Sequence, residues 1–468
     1  MSEHNKTIQE FLQTACNQIR YKSVHTSIVN ELTDHIEEQK SQYIKEGFSE
    51  EAATNKAIEQ MGDPVLVGKE LNKAHRPKIE WSILSLVAVL VLIGGAVQFL
   101  ISGTNTNHTG GFLHFLTYLP VGLAAFFFTY FFDYTLIGRY PKIAYFILLA
   151  TAVAESQLSG RVCGCYPHIY YFALLFIPIF AGIVYSFRNK GYLGIIACGL
   201  FYFGAAFLCI IAQNLSAFVL LTFSCLIILT HAIVKGYFGG NKKIGLAVVY
   251  IPTFMTFVLS VLCLIFLLPY RMRRIALSLI PELDPQGAGY NSLMVKRIIK
   301  GSQPFGEALL GPGYVNMPVN QILPCWDTDF SLTYIIGHLG LVAGLVIIGI
   351  ISVLIVRISI SIIKQKNVFG YLLSYSACIA IAGQFVLYVL LNFGLLTLFS
   401  VTLPFISYGG MGFIVNMILA GLVLSVYRRT NIVVDNMQIS TPKWRLFTFQ
   451  DGKIIIDLGL NSSKKPLS

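Results

Sequence analysis

Charged residues are scarce in this sequence: Asp, Glu, Lys and Arg make up 12% of its 468 residues, against about 25% in an ordinary soluble domain. Hydrophobic residues make up 55%, and the mean hydropathy is +0.67. A chain this poor in charge needs an apolar solvent, and the lipid bilayer is the obvious one. The first 80 residues are polar, and no signal peptide precedes the first long apolar run, which starts near Trp81.

Acidic residues are scarcest beyond position 80, where ten occur. Of these, only Asp133 and Glu155 fall within or beside an apolar run, both near its end, and no Lys or Arg lies in the middle of one. Ion-coupled transporters usually hold their coupling ion with ionisable groups at depth. The pattern therefore disfavours a proton-coupled carrier, but it leaves open a passive scramblase or a flippase with an uncharged polar lining.

The nine cysteines show no spacing typical of a metal or redox site.

The positive charge is unevenly distributed along the chain. Residues 1–80 hold 10 Lys/Arg and 13 Asp/Glu, and the remainder holds 24 Lys/Arg and 10 Asp/Glu. Because the excess cations lie in loops between apolar runs, the predicted partners are anionic membrane lipids and phosphate-bearing lipid substrates, and no nucleic acid is expected.

Residues 1–75 are predicted to form a small soluble domain of three amphipathic helices, near 7–21, 25–46 and 50–62. Ser49 suits the N-cap of the third helix, with Glu50 and Glu51 in its first turn. Gly62 is predicted to end that helix. The domain carries no catalytic pattern, so a docking or regulatory role and a plain anchoring role both remain open.

Ten apolar segments of about 20 residues are long enough to span a bilayer. They lie near 82–102, 112–133, 143–158, 168–187, 192–212, 215–234, 245–268, 331–356, 369–392 and 404–426. The predicted fold class is all-α: a polytopic membrane domain of about ten transmembrane helices over 82–430, plus the small soluble N-terminal helical domain. The short loops after segments 2, 4, 6 and 8 are rich in Lys and Arg, whereas the opposite short loops carry only Arg161. This asymmetry places both termini in the cytoplasm.

One connection is long, because residues 269–330 form a loop on the predicted outer face. It holds six basic and five acidic residues, and loops of this length are usually functional. In the tail, residues 431–468, the pair Asp451-Gly452 between β-prone runs indicates a small hairpin. No role is assigned to it.

Three motifs in the second half of the chain are specific in combination. They are PYRMRRIALSLIPELDPQGAGYN at 269–291, LPCWDTDF at 323–330 and TLPFISYGG at 402–410. Together they resemble motifs of the SEDS family (FtsW, RodA, SpoVE) of peptidoglycan glycosyltransferases, and the resemblance covers about residues 82–430. Gln384 matches a glutamine of the family, and AQNLSAFVLL at 212–221 is a looser match.

The chain departs from the family pattern at several polar positions. Val162 follows Arg161 where the family has Trp, and His168, Ile169 and Phe172 replace the Ser, Glu and Lys of its Pro-Ser-Glu-x-x-Lys motif. Glu307 replaces the Lys of a glycine-rich stretch, Gly337-His338 replaces a Glu pair, and Tyr388 replaces an Asn.

The resemblance implies an enzyme, a hexosyltransferase that polymerises lipid II at the outer face of the bacterial cytoplasmic membrane. Its role would lie in division, elongation or sporulation. The family match implies that Asp329 is the catalytic base, although an Asp before a helix is also a favoured N-cap and both roles can hold at once. The predicted contacts to diphosphate or sugar are Arg274, Arg271, Lys296, Lys300, Arg161 and Gln384.

The resemblance also implies partners and leaves alternatives. Family analogy implies a divalent cation such as Mg²⁺ or Mn²⁺, although no carboxylate cluster in the sequence marks a metal site. It implies lipid II as substrate and a class B penicillin-binding protein as partner. The alternatives are a flippase or scramblase for a lipid-linked precursor, and a non-catalytic scaffold for a penicillin-binding protein. Both predict that Asp329 is dispensable.

Overall fold

The fold comes from a computed structural model that describes residues 3–22, 25–103, 110–161, 165–267, 275–277, 280–311, 313–314, 317–395, 399–406, 410–432, 448–450 and 453–455. Within these ranges the chain forms eighteen α-helices, numbered α1 to α18 in chain order, and two short strands. The all-α prediction is confirmed.

Four helices form the N-terminal domain. They are α1 (Glu3–Asn17), α2 (His25–Lys45), α3 (Glu50–Met61) and α4 (Pro64–Ala74). Ser49 caps α3 by accepting a hydrogen bond from the backbone N–H of Ala52. The sequence predicts three helices, the third ending at Gly62, and does not predict the fourth. Asp63 Oδ1 accepts from Val65 N at 2.9 Å and Pro64 opens the first turn, so this pair starts α4.

The N-terminal domain packs against the segment at the C-terminal end of the chain's last long helix. Ile432, four residues beyond that helix, is buried in the domain core against α1 and α2. Asn431 Nδ2 donates to the backbone oxygen of Ala74 at 3.0 Å, and Lys78 N donates to the oxygen of Arg428 at 3.3 Å. The core of the domain is therefore completed by a residue from the opposite end of the sequence.

The membrane part contains nine helices that, among the described residues, are long and apolar enough to cross a bilayer. They are α5 (Trp81–Gly103), α6 (Gly110–Phe131), α9 (Ile169–Ser186), α10 (Gly191–Ile211), α11 (Leu215–Val234), α12 (Lys242–Leu267), α16 (Leu341–Ile363), α17 (Val368–Asn392) and α18 (Gly410–Arg428). The third predicted segment is the 18-residue helix α8 (Pro141–Leu158), which follows the short α7 (Thr135–Arg139). Helix α8 carries Lys142 and Glu155 and is the most polar of these ten long helices, the nine above and α8 itself. The protein is thus a multi-pass membrane protein.

Helix α9 lies at the centre of the bundle. It packs against α8, α10, α11, α17 and α18, while α6 packs along α18. The most apolar stretches of α9 and α18 are 72% buried, whereas those of α6 and α12 are 11% buried. Since lipid tails solvate the outward faces, α6 and α12 form the lipid-facing periphery and α9, α17 and α18 form the protein interior.

The eighth predicted span, 331–356, is interrupted. The structure has a short helix α15 (Ser331–Leu339), then Gly340 at φ +103°, then α16. The strap formed by residues 303–308 crosses this break and hydrogen-bonds to the backbone N–H and C=O groups that the two helix ends leave unpaired. Gly306 N and Ala308 N donate to the oxygens of Leu339 and Gly337 in α15, and the N–H groups of Leu341 and Val342 in α16 donate to the oxygens of Gln303 and Pro304.

The long connection between α12 and α15 contains ordered elements. These are a 3₁₀ turn at Pro281–Leu283, α13 (Tyr290–Gly301) and α14 (Val319–Ile322). Helix α13 packs against α15. In the tail, β1 (Thr448–Gln450) and β2 (Lys453–Ile455) pair antiparallel at the position of the predicted hairpin.

Candidate active site

Asp329 lies in the turn that leads into α15 and is half-buried. Its Oδ1 accepts a hydrogen bond from Ser400 Oγ at 3.0 Å. The pKa of the Asp329 carboxyl is raised to about 6, mainly by burial; the Ser400 hydrogen bond opposes this rise, and the neighbouring charge of Asp327 adds to it. A carboxyl with a pKa near 6 is partly protonated near neutrality and suits general-base catalysis.

The carboxylate of Asp329 does not cap α15. The N-cap position is Phe330, and no side chain caps the helix from there. Instead, the hydroxyl of Tyr388 accepts from Leu332 N at 3.0 Å, and Asn392 Oδ1 accepts from Thr333 N at 3.0 Å. Two side chains of α17 thus satisfy the first N–H groups of α15, which leaves the carboxylate available for chemistry.

The segment that holds Ser400 is fixed from three directions. Ser400 N donates to Ser216 Oγ at the start of α11, at 3.1 Å. Gln384 Nε2 donates to the backbone oxygen of Thr402 at 2.9 Å, and the side chain of Tyr171 hydrogen-bonds to Thr402. These contacts fix the backbone of the segment and therefore the position from which the Ser400 side chain reaches Asp329.

Two tyrosines of the first turn of α9 border Asp329. Tyr170 and Tyr171 both interact electrostatically with its carboxylate. Tyr170 is almost fully buried, and within the described part of the chain its hydroxyl has no hydrogen-bond partner. A buried hydroxyl without a partner is costly, so this one is a candidate contact for a substrate group.

These contacts gather several helix ends at one place, which we term the Asp329 end of the bundle. It comprises the C-terminal ends of α10 and α17 and the N-terminal ends of α9, α11 and α15. Arg161 lies at this end: its guanidinium is 5.2 Å from the ring centre of Tyr166, whose backbone bonds with Ala212 and Asn214.

The other predicted contact residues are placed differently. Lys296 lies on α13 with its stem against Gly394, just beyond the Asn392 that holds the Asp329 backbone. Gln384 is fully buried and holds the Ser400 segment, so it is placed to position the site. Lys300 is exposed near the C-terminal end of α13. Arg271 and Arg274 lie outside the described residues.

Sequence reasoning missed Ser400, Asn392, Tyr170 and Tyr171. For Asn392, an amide near the end of an apolar helix is a signal, because it needs a hydrogen-bond partner there. Ser400 gives no local signal, since its partner lies 71 residues away in sequence.

The Asp-Pro motif of the long loop builds a turn. Asp284 Oδ1 and Oδ2 accept from the backbone N–H groups of Gly287 and Ala288, at 3.0 and 3.2 Å. Tyr290 then donates its hydroxyl to the backbone oxygen of Ile322 at 2.9 Å. Asp284, Gly287 and Tyr290, which belong to the motif at 269–291, therefore shape the loop that leads into α13.

The site offers few ligands for a metal ion. The described part of the chain holds no group of three His, Cys, Asp or Glu side chains that fits a metal ion. Asp327 and Asp329 provide two carboxylates near each other, fewer ligands than a Ca²⁺ cage uses, whereas Mg²⁺ is commonly held by one or two carboxylates together with substrate phosphates.

Comparison with known proteins gives one family. A family model described as "Cell cycle protein" (FtsW, RodA, SpoVE) matches residues 172–432, more than half of the chain. The chain is 33% identical over 180 residues to a probable peptidoglycan glycosyltransferase FtsW of Idiomarina loihiensis, covering 38% of this chain and 43% of that protein. It is 30% identical over 192 residues to peptidoglycan glycosyltransferase MrdB of Escherichia coli, covering 40% and 48%. The matches thus span about half the length of these curated relatives.

Solved structures share the fold. A chain from a structure described as "Structural coordination of polymerization and crosslinking by a peptidoglycan synthase complex" aligns with a TM-score of 0.59 and 17% identity, covering 75% of this chain and 98% of that one. The rod shape determining protein RodA of Thermus thermophilus aligns with a TM-score of 0.52 and 15% identity, covering 75% and 97%.

Proposed function

Because this protein belongs to the SEDS (FtsW/RodA/SpoVE) family, we propose that it is a peptidoglycan glycosyltransferase that polymerises lipid II. The observation that carries the proposal is the carboxylate of Asp329. It lies at the meeting point of five helix ends, has a pKa of about 6, and is not used to cap a helix. A purely structural aspartate at this position would be expected to bond to the helix N-terminus.

In the proposed reaction, Asp329 takes the proton from a sugar hydroxyl of one lipid-linked saccharide. The hydroxyl oxygen then bonds to the anomeric carbon of a second saccharide, and the bond from that carbon to the lipid diphosphate breaks. The diphosphate leaves with the electron pair and with its charge increased, so cations at the site stabilise it. Lys296 and Arg161 are the predicted cations within the described residues that lie at the Asp329 end.

The proposal includes a membrane orientation. The basic loops at the ends opposite Asp329 support a cytoplasmic location for both termini in a bacterial cytoplasmic membrane. The Asp329 end would then face outward, where lipid-linked precursors are polymerised. A class B penicillin-binding protein is the proposed partner, supported by the similar fold found in a peptidoglycan synthase complex.

The test is glycan polymerisation from labelled lipid II by the purified full-length protein, alone and with a candidate class B penicillin-binding protein. Wild type is compared with Asp329→Asn and with the matched control Asp327→Asn. Because burial raises the pKa of Asp329, ionising it costs folding free energy above about pH 6. The Asp329→Asn variant is therefore expected to melt no lower than wild type at pH 7.5.

We expect polymer from wild type and Asp327→Asn, and a loss of at least 100-fold in Asp329→Asn, the usual scale for removing a general base. Polymer from all three proteins would show that the base lies elsewhere. No polymer from folded wild type with its partner present would contradict the proposal and favour a lipid flippase or a scaffold.

A further inference from the structure

His168, where the chain departs from the family motif, forms a pair with Glu155 at the Asp329 end. His168 is the N-cap residue of α9, and its Nδ1 bonds to Oε1 of Glu155 near the end of α8. The other carboxylate oxygen of Glu155 is buried and has no partner within the described residues. A poorly solvated carboxylate needs a polar partner, and the imidazole of His168 provides it.

The pairing fixes which edge of the imidazole is available. With Nδ1 directed at Glu155, Nε2 lies on the opposite edge of the ring, and the His168 side chain is 40% exposed. No residue in the described part of the chain accepts a hydrogen bond from Nε2. The ring therefore presents Nε2, which no described residue uses, at the start of an 18-residue helix whose N-terminus adds positive potential.

His168 lies at the same end of the bundle as the candidate base. The ring centres of His168 and Tyr171 are 6.4 Å apart, and Tyr171 interacts electrostatically with Asp329. Charged or titratable groups at this end include Glu155 on α8, Tyr170 and Tyr171 on α9, Asp329 before α15, and Arg161, which stacks on Tyr166.

The chain lacks the lysine that its family resemblance would place on α9, because Phe172 occupies that position. We propose that His168, oriented by Glu155, binds the diphosphate of the polyprenyl-linked substrate as an imidazolium, with Nδ1–H directed at Glu155 and Nε2–H donated to a phosphate oxygen. This inference rests on the proposed function only in the identity of the ligand, a polyprenyl diphosphate. Asp329 and His168 would then act on opposite sides of the bond that breaks, as proton acceptor and as anion binder.

The test measures binding without turnover. Full-length protein carrying Asp329→Asn is placed in nanodiscs of phosphatidylcholine and titrated with geranylgeranyl diphosphate and, separately, geranylgeranyl monophosphate. His168→Gln is expected to weaken diphosphate binding roughly 10- to 100-fold, the scale of one lost charge-assisted hydrogen bond. Monophosphate binding is expected to change less.

A rescue variant separates charge from structure. His168→Arg keeps a planar donor that reaches Glu155 and phosphate together, so it is expected to restore most of the affinity. A structural role alone would not be rescued by this longer, permanently charged side chain.

The matched control is His338→Gln. His338 also pairs through Nδ1 with a glutamate, Glu307, at 3.1 Å, but it lies at the opposite end of α15 from Asp329. We expect this control to bind diphosphate like its parent.

Three outcomes would overturn the inference: equal diphosphate affinity in His168→Gln and its parent, equal loss for monophosphate and diphosphate, or displacement of the probe by phosphatidylglycerol in the nanodisc. The last would assign His168 to an anionic lipid headgroup. If wild type makes no polymer while diphosphate binding still depends on His168, the proposed function fails and this inference stands.

Discussion

The side-chain nitrogen Nδ2 of Asn392 donates to the backbone oxygen of Asp329 at 2.9 Å. The other end of the same amide, Oδ1, accepts from Thr333 N at 3.0 Å. A single side chain at the end of α17 therefore positions both the candidate base and the helix that follows it. The carboxylate of Asp329 makes a separate contact: within the described residues its hydrogen-bond donor is Ser400.

The first prediction concerns pH. The base acts as a carboxylate, and the pKa of Asp329 is about 6. Polymerisation is therefore expected to fall as pH drops through 6, approaching a tenfold loss per pH unit below it. The measurement is the initial rate of polymerisation from labelled lipid II between pH 4.5 and 8.

Two variants are expected to shift that profile in opposite directions. Ser400→Ala removes a hydrogen bond that lowers the pKa of Asp329, so the midpoint should move to higher pH. Asp327→Asn removes a charge that raises the same pKa, so the midpoint should move to lower pH. If both variants keep the wild-type midpoint, a group other than Asp329 controls the rate.

Tyr388→Phe is expected to destabilise the protein and reduce its activity. The hydroxyl accepts from Leu332 N and contacts Ser331 Oγ at 2.8 Å, in a fully buried place. Its loss leaves a buried N–H unsatisfied, at about 1–3 kcal/mol. Thermal unfolding followed by fluorescence checks this. Tyr375→Phe on the same helix is the control, expected within about 0.5 kcal/mol of wild type; equal effects would show that the α15 contact is not responsible.

Gly340→Ala is expected to distort the break between α15 and α16. At φ +103° an added Cβ would meet the oxygen of Pro304 at 2.6 Å and Cα of Phe305 at 2.7 Å. Both are backbone atoms and cannot rotate away, so we expect a lower Tm and lost polymerisation. Gly349→Ala in α16 is the control, because its Cβ meets nothing within 4 Å and alanine favours helix by about 1 kcal/mol. A tolerated Gly340→Ala would mean that the break is not required.

Ile432→Ala is expected to loosen the N-terminal domain. Ile432 is 6% exposed and packs with Leu12, Ile19 and Ile28. Removing a buried isoleucine costs about 2–5 kcal/mol, so limited proteolysis should cleave within residues 1–75 faster than in wild type. Ile44→Ala, at a residue 44% exposed, is the control and should match wild type. Equal cleavage of all three proteins would contradict the contact.

Local patterns were sufficient for much of the fold. The spacing of apolar runs predicts the long helices because each must satisfy its own backbone in lipid. Ser49 and Gly62 mark the ends of α3, since caps depend on neighbouring residues only. The break at Gly340 was not predicted, because a glycine inside an apolar run is compatible with a helix. Only the strap at residues 303–308, which hydrogen-bonds to both sides, makes the break favourable.

The sequence by itself determined that this is a helical, multi-pass membrane protein of the SEDS family, and it identified Asp329 as the residue to test. Only the tertiary structure decided what surrounds that residue. Tyr388 and Asn392 take over the capping of α15, Ser400 meets the carboxylate, and His168 turns toward Glu155. The physical reason is distance along the chain. Composition and periodicity determine which segments become helices, whereas the pKa and the orientation of Asp329 depend on side chains that only packing brings together.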